Sequence, residues 1–282
     1  MSYTGSIADF LADVKGKLFL PIQQVTFTDQ QILDIAYEEM MSSVYPKIMG
    51  CREGYFSAFV DVAISSTRRY RIPKRAIGGK IYDIQITDGG AVFSLNQVHR
   101  FDIQRREGFY LDNSDIVLTS QTRQQGTMRI VYPVRPYPFT ASPATTTVAS
   151  VGSGTCTASI APGVSTADIQ QPNSPFSIIA PDCAVSGTSL TFNSDLNVAA
   201  GDLISKDGTT PMVPLPIEAQ DLLALRTAHR ILGYLGQAAR QGALAEKIKD
   251  SEAYVLNLMS PRVDGEEKVI NEKELLGIQR NW

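Results

Sequence analysis

Cysteine is scarce in this chain, with three residues, Cys51, Cys156 and Cys183, among 282. So few thiols, so far apart, exclude a disulfide framework and a cysteine-based zinc cluster, and buried free thiols are the expected state. Cys156 and Cys183 fall in one strand-rich stretch, within reach of neighbouring strands. Histidine is scarcer still, with two residues. His99 sits among Arg100, Arg105 and Arg106, and His229 lies in an apolar helical pattern beside Arg226 and Arg230, so neither has metal-ligand partners at local spacing. No apolar run approaches the roughly 18–20 residues of a membrane span, and the first residues lack the charged start and apolar core of a signal peptide. A soluble protein made in the cytoplasm, with no membrane partner, is the expectation.

Motifs of chemistry are also lacking. Ala76-Ile77-Gly78-Gly79-Lys80 lacks the full glycine, lysine and serine/threonine spacing of a phosphate-binding loop and precedes a strand pattern where that loop precedes a helix, so a turn is expected there. Gly152-Ser153-Gly154 is too short for a nucleophile elbow, which needs a strand-to-helix turn. No nucleophile, base and orienting group stand in a recognisable set, and no paired carboxylates have a distinctive context. The expectation is a protein that is not an enzyme, with no catalytic residue, cofactor or metal.

What the chain has is an order of textures: helical periodicity over about residues 6–49, then short strand-and-turn patterns, then a second helical pattern from Pro216 to Met259. Ser6 can cap a helix whose Ile7, Phe10, Leu11 and Val14 recur at i, i+3, i+4 and i+7. Thr28-Asp29-Gln30-Gln31 matches a capping box, and the helix that follows presents Ile32, Ile35, Ala36 and Met40 on one side and is expected to end before Pro46. From Gly54 the period becomes two. Strands are expected over 55–64, with an extended return from Arg68 to Pro73, and then over 80–86, 109–111, 116–118 and 127–132. Pro133 to Phe139 reads as a stiff connector. Residues 144–213 are rich in Ser, Thr, Ala and Gly, yet carry short apolar strands at 146–151, 155–160, 176–179 and 190–192. In the last helices Leu222, Leu223, Leu225, Ala228, Ile231, Leu232 and Leu235 form a broad apolar face, followed by Leu244, Ile248, Tyr254 and Val255.

Neither helical end is long enough for a comfortable core alone, so the two are expected to pack together. The fold class is therefore α+β: a helical bundle of N- and C-terminal helices with a large inserted antiparallel β region, including a small β-sandwich-like insertion. The domains expected are a bundle of 1–53 and 214–260, a β region of 54–143, an inserted β domain of 144–213 and a tail of 261–282 that orders on a partner.

The net charge of −3 gives no global reason to bind nucleic acid, but its distribution is uneven. Residues 52–135 carry thirteen basic against eight acidic side chains, and residues 136–220 carry one against six. The sharpest cluster is Arg68, Arg69, Arg71, Lys74 and Arg75. On an extended segment it would project a dense positive edge toward phosphate or an acidic protein face; otherwise it guards a strand edge against unwanted pairing. In the tail, Leu275, Leu276, Ile278 and Trp282 are the apolar candidates for partner binding.

Arg52-Glu53-Gly54-Tyr55-Phe56, the strand to Ile64, and Tyr70-Arg71-Ile72-Pro73-Lys74-Arg75-Ala76-Ile77-Gly78-Gly79-Lys80-Ile81-Tyr82-Asp83-Ile84 together resemble the head-to-tail adaptor (connector or head-completion) proteins of tailed bacteriophages. The helix before them and the Ala/Leu-rich pair over Asp221–Met259 are similar to that family's helical bundle. The resemblance covers about half of the chain and carries no catalytic signature; the large insertion at 144–213 departs from the smallest adaptors. It implies a ring, commonly dodecameric, in the virion neck between capsid and tail. Such a ring docks on the portal protein, passes DNA through its lumen without sequence-specific binding, and presents a surface to tail or nozzle proteins. The alternatives are another virion or tail component that uses the β insertion for attachment, and a ligand-binding protein or an enzyme with an unseen site.

Overall fold

A computed structural model describes residues 6–18, 26–99, 106–122, 125–141, 145–158, 165–171, 178–192 and 197–260. The tail residues Leu275, Leu276, Ile278 and Trp282 lie outside the described residues, as do Arg100 and Arg105.

The first helix, α1 (Ile7–Lys17), starts where the Ser6 hydroxyl accepts a hydrogen bond from the Asp9 amide at 3.2 Å, and it buries Ile7, Phe10, Leu11 and Val14. Helix α2 (Asp29–Glu39) opens on a complete capping box: Thr28 Oγ1 accepts from the Gln31 amide and Gln31 Oε1 accepts from the Thr28 amide. The expected stop before Pro46 does not occur. A single π-turn over Met40–Val44 leads straight into α3 (Tyr45–Cys51), which carries Pro46 in its first turn. The proline ring and its missing N–H are tolerated there because the Tyr45 amide reaches back five residues to the Met40 carbonyl, widening the helix just before it.

Seven strands follow: β1 (Ser57–Ala63), β2 (Arg69–Arg71), β3 (Asp83–Asp88), β4 (Ala91–Ser94), β5 (Phe109–Asp112), β6 (Asp115–Leu118) and β7 (Thr127–Pro133). They form an antiparallel four-stranded sheet of order β1-β7-β3-β4 and a three-stranded sheet of order β2-β6-β5. The extended segment expected from Arg68 to Pro73 includes β2, whose partner the sequence left open. Arg68 adopts a left-handed backbone, φ 52°, which redirects the chain, so β2 pairs with β6 while β1 pairs with β7. Along β3 and β7 the side chains alternate, and Ile84, Ile86, Met128 and Ile130 turn inward.

Residues 145–206 supply β8 (Thr145–Gly152), β9 (Thr155–Ala158), β10 (Thr166–Gln170), β11 (Ile178–Ser186), β12 (Ser189–Thr191) and β13 (Leu203–Lys206). The expected sandwich-like unit is instead a closed barrel, because β13 pairs with both β8 and β10 and leaves no free edge. Val148, Cys156, Ile169, Cys183, Leu190 and Ile204 fill it.

Two further helices lie among the described residues, α4 (Ile217–Tyr234) and α5 (Ala238–Met259). Helix α4 packs against α1, α2 and α5 and is buried along most of its length. One continuous apolar core joins Phe10, Ile32 and Leu223 of the helices to Ile84, Ile116 and Ile130 of the first β region. The barrel has its own core, separate from this one. Its two stems lie side by side, with the Thr140 amide donating to Thr210 O and the Thr210 amide to Pro138 O, both at 2.9 Å. Gln30 of α2 clasps the first stem by donating to Phe139 O and accepting from the Ala141 amide, and the Phe139 ring packs edge-on against Phe10 and Tyr37.

Candidate partner-binding cleft

Strand β2 alternates, so Tyr70 points into the core while Arg69 and Arg71 share the outer face. Its partner β6 is joined to β5 by the tight turn Asp112-Asn113-Ser114-Asp115, in which Asn113 takes a left-handed backbone, φ 55°. Arg69 grips that turn, with one guanidinium nitrogen 2.8 Å from Asp112 Oδ2 and the other 2.9 Å from Asp115 Oδ2. The hydrogen bonds that Arg69 donates to Asp115 and then Asp112 push its pKa further up, and the two contacts tie β2 to the turn.

Beyond β2 the chain runs through Pro73 and Lys74 into a short turn where Gly78 and Gly79 both have positive φ, 61° and 69°. The phosphate-loop-like segment is thus a turn. Its Gly79 and Lys80 amides bond internally to the Ala76 and Ile77 carbonyls. Between this turn and the Asp112–Asp115 turn lies an open cleft of about 720 Å³. Arg71 and Lys74 line one side, and Asp112, Asn113, Ser114 and Asp115 line the other. Arg71 stands directly across the ladder from Asp115, whose carboxylate Arg69 already holds. Among the described residues, neither Arg71 nor Lys74 has an ion-pair or hydrogen-bond partner, and both are exposed.

The other members of the basic cluster have different roles. Arg68 donates from Nη1 to the Thr119 carbonyl at 2.5 Å. Arg75 lies 4.0 Å from the Tyr137 ring centroid and donates to the Arg135 carbonyl, tying the glycine turn to the proline-rich connector. Five cations adjacent in sequence therefore divide into three that hold structure and two that face the cleft. The acidic turn opposite them was not singled out in the sequence. Asp-Asn-Ser-Asp between two short strands is a legible turn signal, but its position over Arg69 and Arg71 follows from sheet pairing.

A second exposed surface is the outer face of the four-stranded sheet. Phe59 is 59% exposed and Val92 61%. Between them, Arg129 makes a two-pronged ion pair with Asp61 and covers the Phe59 ring at 4.1 Å. The Arg129 hydrogen bond holds the Asp61 carboxyl below its usual range. Among the described residues, no cluster of three or more His, Cys, Asp or Glu side chains could hold a metal ion, and no helix is long and apolar enough to cross a membrane. Cys156 and Cys183 are buried and form no disulfide, and burial raises the pKa of Cys156. Comparison of the chain with protein-family models and with curated proteins gives no match.

Proposed function

We propose that this chain is the structural adaptor of a tailed-phage neck, a subunit that forms a ring on the portal protein, lets DNA pass and offers a surface to tail proteins. The observation that carries this reading is the hub built from both halves of the sequence: α1, α2 and α3 pack with α4 and α5 around one core, with all β structure inserted between them. Such a hub, together with the residue pattern quoted above, is what the resemblance to head-to-tail adaptors implies. A ring needs two different complementary faces on every subunit, because a heterologous contact closes only when one patch meets another. The polar cleft and the exposed sheet face are distinct patches on the same β region. No step of this function is chemical, so the chain is read as a non-enzyme that acts in the virion neck.

The barrel favours a related reading, a virion component that uses this module for attachment, since the barrel has a core of its own and hangs on two paired stems. Light scattering on the purified chain, alone and mixed with a portal protein, separates the two. A closed ring in either condition, seen as a single high-mass species and as rings by negative-stain microscopy, is the expected result. A monomer at every concentration, with and without portal, sinks the adaptor reading.

A further inference from the structure

We propose that the Arg71/Lys74 cleft is the receptor for the acidic run Asp264-Gly265-Glu266-Glu267 of a neighbouring copy; the delivery by a neighbour rests on the ring reading above. Two exposed cations without partners among the described residues face one side of a cleft large enough for several peptide residues. The sequence that follows α5 places three carboxylates within four residues, then Lys268. Charge order discriminates between anions. The wall opposite Arg71 and Lys74 carries Asp112 and Asp115, whose two charges the single Arg69 only partly offsets, so it disfavours a uniform polyanion such as a nucleic-acid backbone and matches a segment whose acids are followed by a lysine. Asn113 and Ser114 on that wall add polar groups suited to an extended peptide backbone.

The run begins five residues after Met259, and the eight residues from Ser260 to Glu267 span at most about 29 Å when extended, so the donor must be an immediate neighbour. Cleft and acidic run are different patches on one chain, so their engagement is heterologous and suits a closed ring. Arg69 makes the cleft ready for its occupant, since it fixes the acidic turn without using Arg71 or Lys74.

The test is a fluorescein-labelled synthetic peptide of residues 260–282, titrated onto the full-length chain whose own run is neutralised by D264S, E266S and E267S. The expected result is binding that weakens at least about tenfold when R71E and K74E are added, and similarly when salt rises from about 50 to about 500 mM. A charge-reversed peptide carrying D264K, E266K and E267K should recover binding to the R71E/K74E chain, which also shows that this variant is folded. Absence of peptide binding at low salt, or equal binding to the R71E/K74E chain, overturns the inference. Occupation of the cleft by duplex DNA with exclusion of the peptide overturns it in favour of phosphate recognition. These outcomes are independent of the light-scattering result, so the ring reading and this inference fail separately.

Discussion

Glu252 sits between two cations from other helices, Lys47 of α3 and Arg226 of α4, and accepts a hydrogen bond from each. Burial tends to raise its pKa, but the two hydrogen bonds and the charges behind them outweigh that and hold it below the ordinary glutamate value of 4.5. A depressed folded-state value means that the unfolded chain takes up the proton first as pH falls. The stabilisation is therefore complete above about 4.5 and is lost as pH drops through the lower folded-state value. Glu252→Gln should cost about 1–2 kcal/mol at neutral pH, with the gap to the parent chain closing in acid, as read by urea unfolding at both pH values. An unchanged gap across that range would mean that the triad holds no differential charge interaction. No sequence signal marked Glu252, since its partners are 26 and 205 residues away. Arg71 and Lys74 were visible as cations, yet nothing local separates them from Arg68, Arg69 and Arg75. The distinction arises only once β2 lies beside β6.

The capped helix starts at Ser6 and Thr28 are the most local features here, and both were legible in the sequence. Thr28→Ala removes one half of the capping box and should lower stability by about 1 kcal/mol, measured by denaturant titration. Strand and turn positions also followed from alternation and glycine placement, but pairing did not. Gly126 shows why. It precedes β7 with φ 103°, and a Cβ there would stand 2.3 Å from the Thr87 carbonyl oxygen. Gly126→Ala should therefore destabilise the chain by about 2–3 kcal/mol, because the positive φ and the backbone clash add. A loss below about 0.5 kcal/mol would show that the turn relaxes freely. Pro46 is the opposite case: the rule that proline ends a helix is sound locally, but a π-turn and the burial of Met40, Val44 and Ile48 keep the rod continuous. Strands β4, β10 and β13 were not foreseen, since short segments with mixed polarity become strands only through their neighbours.

Two apolar cores define how the whole molecule should behave on unfolding. The helices and first β region share one, and the barrel has the other. Ile169→Ala, which removes a fully buried side chain from the barrel, should weaken that unit by about 2–4 kcal/mol. Thiol labelling checks it: Cys156 and Cys183 in the barrel should react faster in the variant, whereas Cys51 in α3 should keep its rate. Equal acceleration at all three thiols would show a single cooperative unit. At this scale the chain's texture announced that its two helical stretches meet, because neither could bury its apolar face alone. It did not announce that the first β region joins their core, nor that residues 145–206 close into a barrel.

What the sequence determined by itself is the kind of structure at each place: capped amphipathic helices at the N-terminal end and apolar-faced helices at the C-terminal end, alternating strands and glycine turns between them, and thiols too few to crosslink. These local features depend on forces acting within a few residues. Tertiary structure alone decided which cations hold the fold and which face open space, how the barrel closes, and how Gln30 clasps its stem. Those outcomes depend on register between distant strands and on shared burial, and neither exists until the segments meet.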